Sequence, residues 1–105
     1  MAKRQLVLTS GDGASPEASL GSLREVLSAV ARFNTAPDGS ARPGAPTAIL
    51  HGPGLVMEVP TAMDEIRQAL VTLIDEDIAW PVLTRLCRAL SWRMMDPETG
   101  RSFGG

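Results

Sequence analysis

Apolar positions along this chain recur in two rhythms, short runs closed by turn residues and longer stretches spaced in threes and fours. The first marks strands and the second amphipathic helices. Gln5 to Thr9 reads as a short strand ended by Ser10-Gly11-Asp12-Gly13. A helix follows, with two candidate starts. Ser15-Pro16-Glu17 offers an N-cap serine, a proline at the first helical position and an acid at the positive dipole end. Ser22 and Glu25, just after Gly21, have the spacing of a capping box. Leu20, Leu23, Val26, Leu27, Val30 and Phe33 then share one helical face, with Arg24, Glu25, Ser28 and Arg32 away from it.

The pattern stops between Thr35 and Thr47, where prolines, glycines and Asp38-Gly39-Ser40 predict a flexible loop over 35–47. Ala48-Ile49-Leu50 and Leu55 to Val59, joined through His51-Gly52-Pro53-Gly54, read as a β-hairpin. Pro60 ends it. Thr61, with Asp64 and Glu65 behind it, has the chemistry of an N-cap, and Met63, Ile66, Leu70, Leu73 and Ile74 predict a second helix. Asp75-Glu76-Asp77 would close that helix and cap a third at Asp77. Pro81, tolerated only near a helix start, supports a break there. Leu83, Leu86, Cys87, Leu90 and Met94 form the stripe of the third helix, which Asp96-Pro97 stops, leaving an irregular tail at 96–105.

The expected architecture is one α+β domain over residues 1–105. Its order would be β-α-β-β-α-α, with a small sheet of about three strands and helices on one face. That is an incomplete ferredoxin-like arrangement. A sheet so small leaves its edges open, a physical reason to expect a homodimer or a protein partner.

Composition narrows the function classes. At 105 residues, 44% hydrophobic and 21% charged, the chain can bury a core without staples. With two Trp, two Phe and no Tyr, that core is mainly aliphatic. A net charge of −2 speaks against nucleic acid, whose phosphates select basic surfaces. The single Cys87 has no disulfide partner, which favours a cytoplasmic location. Lys3-Arg4 begins like an export signal, but the apolar run after it is three residues long. No stretch approaches the roughly 18 apolar residues of a membrane span.

Candidate chemistry is sparse, and neither a cofactor nor a metal is expected. The Gly11-Asp12-Gly13 loop precedes a helix as phosphate loops do, yet it lacks a lysine at P-loop spacing and places an acid where phosphate would sit. His51 is the only histidine, and its nearest acid along the chain is Glu58. Asp75-Glu76-Asp77 lacks the alternation of a calcium loop, and Cys87 falls on an apolar stripe. On the third predicted helix, Arg85, Arg88, Trp92 and Met95 fall opposite the apolar stripe, and Trp and Arg are the residues that dominate binding hot spots. These four residues form the expected interaction surface of a non-enzymatic protein-interaction or regulatory module, self-associating through it.

Two alternatives stand beside that reading. One is a small enzyme using His51 with the 35–47 loop as a lid. The other rests on Gly104-Gly105, which resembles the diglycine ending of ubiquitin-like proteins and sulfur carriers in those two residues. That resemblance implies a conjugated or sulfur-carrying tail.

Overall fold

A computed structural model describes residues 4–11, 19–36, 46–62 and 64–104. The elements in chain order are β1 (Gln5–Ser10), β2 (Gly21–Ser22), α1 (Leu23–Ala31), β3 (Thr47–Gly52) and β4 (Leu55–Pro60). After them come β5 (Glu65–Ile66), β6 (Gln68–Leu73), α2 (Glu76–Leu90), β7 (Trp92–Met95) and β8 (Ser102–Gly104).

Five strands, in the order β3-β4-β6-β1-β7, make an antiparallel sheet that the short β8 extends to six at one edge. β2 and β5 form a separate two-stranded sheet. This overturns the expected three-stranded, incomplete ferredoxin-like arrangement in both strand number and order. Among the described residues there are two helices rather than three, and the β3–β4 hairpin sits at one edge of the sheet with β6 between it and β1.

The first correction lies in residues 61–74. The spacing of Ile66, Leu70 and Leu73 fits a helix, but Ala69, Val71 and Leu73 alternate with Gln68, Leu70 and Thr72. The chain takes the second pattern because β6 then fills the slot between β4 and β1, and all three alternating residues are buried.

The second correction concerns the C-terminal third. α2 is capped by Asp75, not Asp77: the Asp75 carboxylate accepts from the backbone N–H groups of Asp77 and Ile78 at 3.1 and 3.3 Å. The helix runs through Pro81 and stops at Leu90. Ser91 turns the chain in the left-handed conformation (φ +57°, ψ +41°), and Trp92 to Met95 continue as a strand. Asp96-Pro97 therefore ends a strand, and the tail returns as β8 beside β7.

Two local expectations match the structure. α1 begins at the Ser22–Glu25 capping box, with both reciprocal bonds made, at 3.2 and 3.0 Å. The β3–β4 hairpin is present, its turn contracted to Pro53-Gly54. Gly54 (φ +67°) accepts the N–H groups of Ile74 and Asp75 at 2.8 and 2.9 Å, pinning the hairpin tip to the start of α2. The alternative helix start at Ser15 lies outside the described residues.

One face of the sheet is buried. Leu6, Leu8, Leu50, Leu55, Met57, Val59, Ala69, Val71, Leu73, Trp92 and Met94 share it, as the pairing register requires. Val26 and Val30 of α1 and Ala79, Leu83, Leu86 and Cys87 of α2 join the same cluster. Both helices thus cover the inner face, and among the described residues no helix covers the outer one. Nor is any helix of the described residues long and apolar enough to cross a membrane.

Candidate functional site

The outer face follows from the register. Cross-strand neighbours run Ile49, Glu58, Leu70, Val7 and Met95, one residue from each of β3, β4, β6, β1 and β7. Four of these five are apolar. On one side of that row lie His51, Val56, Thr72 and Gln5. On the other lie Thr47, Pro60, Gln68, Thr9 and Arg93. Ile49 is 45% exposed at the edge strand, while Val7, Val56, Leu70 and Met95 are half-buried by their neighbours on the same face. A solvated sheet face would carry mainly polar residues here.

A shallow hollow of about 300 Å³ opens on this face, lined by Val7, Thr47, Glu58, Pro60, Gln68 and Leu70. Glu58 is its one charged side chain. Arg93 lies three strands away, on the other side of the apolar pair Leu70 and Val7. Among the described residues neither Glu58 nor Arg93 forms an ion pair.

The four residues expected to form one surface are placed on three. Arg85 and Arg88 are exposed on α2. Trp92 points inward and is 4% exposed, part of the core. Met95 alone belongs to the outer face, opposite Val7. A strand at 92–95 separates Trp92 from the arginines because its side chains alternate faces, whereas a helix would have aligned them. Trp80, half-buried on α2, has an arginine of its own: the Arg4 guanidinium lies 5.8 Å from its ring centre. Arg4 also pairs with Glu76 and with Asp96, each at 3.3 Å, tying the start of β1 to α2 and to the turn after β7.

Gly11 donates its N–H to the Ser91 carbonyl at 2.7 Å, and a Cβ at this position would lie 2.5 Å from that oxygen. Close backbone approach explains the glycine. Asp12 and Gly13 lie outside the described residues. His51 sits on β3, not in the turn, and its backbone makes an antiparallel bridge to Ala36 with bonds of 3.2 and 2.8 Å. It is paired with Val56, one diagonal step from Glu58, and is not among the residues lining the hollow that Glu58 lines. The loop over 35–47 is described only at its ends: Thr35 is buried and Pro46 accepts from Thr61 at 3.0 Å.

Asp75 is an N-cap, and no group of three or more metal-ligating side chains occurs among the described residues. Burial pushes the Cys87 thiol up to about 11, the opposite of what a nucleophile needs. The Gly104 backbone is paired with Arg93 in the β7–β8 ladder, whereas a conjugating tail must extend free of its domain; Gly105 lies outside the described residues. The outer face carried little sequence signal, because Leu70 and Val7 sit among other apolar residues. Comparison of the chain with family models, with curated proteins and with solved structures finds no match, so the functional reading rests on the residues of this chain.

Proposed function

We propose that the chain is a non-enzymatic protein-interaction module whose binding surface is the outer face of the sheet. The observation that carries this reading is the apolar row Ile49, Leu70, Val7 and Met95 on a face that no described helix covers. An apolar row broken only by Glu58, between Ile49 and Leu70, and flanked by Gln68, Thr9, Gln5 and Arg93 has the anatomy of a binding patch, mainly apolar in the middle and polar around it. The reading places the module in the cytoplasm, where a lone buried cysteine requires no oxidised partner.

Leu70→Lys tests the face. On β6 the new ammonium stands beside Glu58, so the fold tolerates it, while any protein docked on the row must bury a charge. Proteins captured by the immobilised chain, copies of itself included, are compared between the native sequence and the variant. A partner held by the native chain and lost with Leu70→Lys supports the reading. Identical captured sets, with binding lost instead on Arg85→Ala and Arg88→Ala, overturn it.

A further inference from the structure

We propose that the occupant of the outer face is a second copy of this chain, related by a two-fold axis that runs parallel to the strands between β6 and β1. This rests on the reading of the outer face as the binding surface and names its partner. The argument is geometric. Counting strands from that axis, β6 and β1 are the first on either side, and β4 and β7 the second. A two-fold rotation lays each strand over its counterpart: Leu70 over the partner copy's Val7 position, and β4 over β7. Two sheets stacked this way keep their strands nearly aligned, one of the common modes of sheet packing.

Charge fits the same axis. Glu58 lies on β4 and Arg93 on β7, at equal strand distances on opposite sides. Along the strands they differ by one step of two residues, about 7 Å, which an arginine side chain spans. The rotation therefore delivers Arg93 of one copy onto Pro60 in the hollow of the other, where Glu58 is the only charged lining residue. The contact occurs twice, as an isologous interface demands. Within one copy Glu58 and Arg93 are separated by three strand spacings, about 14 Å, so their pairing is reserved for the dimer.

The overlap is modest. About this axis β4, β6, β1 and β7 cover their counterparts and β3 reaches the partner's short β8, a projected footprint of about 400 Å² that side-chain relief enlarges, still below the roughly 800 Å² per partner of a standard interface.

Sedimentation equilibrium on the native chain, on Glu58→Arg and on Arg93→Glu tests the arrangement. The native chain is expected to dimerise. Each single reversal places two like-charge contacts in its homodimer and raises the dimer Kd by about tenfold or more. An equal mixture of the two variants restores dimers, because one contact of the mixed pair has its two charges exchanged, still opposite in sign, and the other is native. Glu58→Gln, which preserves side-chain shape, weakens the dimer in the same direction should a reversal perturb folding. A monomeric native chain, or a mixture that stays monomeric, overturns the two-fold arrangement. If the native chain dimerises, Leu70→Lys separates the two readings. Dimers sensitive to Leu70→Lys but indifferent to the charge reversals leave the face and remove this axis, and dimers indifferent to all three remove the face itself.

Discussion

Cys87 is 1% exposed on the inner side of α2, and burial pushes its thiol up to about 11 from an ordinary value of 9.0. The charged thiolate would have to leave water for an apolar core, so the folded chain holds the proton that the unfolded chain releases. Below pH 9 both states are protonated and the group adds no pH dependence; between pH 9 and about 11 only the unfolded chain ionises, and stability falls as pH rises. Urea midpoints measured from pH 8 to 11 should decline more steeply for the native chain than for Cys87→Ala. Parallel curves would show the thiol to be solvated. Trp92 gives the complementary case. A tryptophan on a docking surface can be truncated without unfolding the domain, but at 4% exposure this one belongs to the core. Trp92→Ala should cost about 3–5 kcal/mol of stability in a denaturant titration, while Arg88→Ala, on the exposed side of α2, stays within about 0.5 kcal/mol.

Elements, more than residues, decided how much of this fold could be read from its sequence. The Ser22–Glu25 cap and the hairpin around Pro53-Gly54 are local devices, complete within a few residues, and both are legible. β6 is not, because Leu70 is apolar on the outer face while Ala69, Val71 and Leu73 are apolar on the inner one. A strand with apolar residues on both faces loses its alternation and borrows the spacing of a helix. The residue that disguises the strand is the one at the centre of the candidate site, so the face and the error share a cause. At the end of α2 no glycine or proline announces the stop; Ser91 takes the left-handed conformation instead, and the strand that follows carries Trp92 to the core and Met95 to the outer face. A non-glycine residue at φ +57° bears a steric cost that glycine does not. Ser91→Gly should therefore stabilise the protein by about 1 kcal/mol, seen as a raised thermal midpoint. An unchanged or lowered midpoint would mean that the helix does not end there.

At the scale of the whole molecule, the first strand is the middle of the sheet. β1 pairs with β6 on one side and β7 on the other, so Gln5 meets Thr72 and Val7 meets Met95, partners separated by most of the chain. Neither half of the sequence contains the whole sheet, so the domain is expected to fold as one unit with β7 in place. Both helices then pack on one face, and among the described residues no helix covers the other. Truncation distinguishes the strands that complete the core from the one that only extends it. A chain ending at Ser91 lacks Trp92 and Met94, two core side chains, and leaves the β7 side of β1 unpaired. It should show no cooperative unfolding transition and no slowly exchanging amides in β1. A chain ending at Arg101 removes the three residues of β8 but keeps the Asp96 N–H bonded to the Arg101 carbonyl at 2.8 Å and the Asp96 carboxylate on Arg4 at 3.3 Å. It should retain the cooperative transition at a slightly lower midpoint, and it should keep Leu70, Val7 and Arg93 in place to dimerise. Loss of the fold on removing residues 102–105 would make β8 part of the core rather than its hem. Loss of dimerisation with the fold intact would make the third strands out from the axis, β3 of one copy over β8 of the other, essential to the interface.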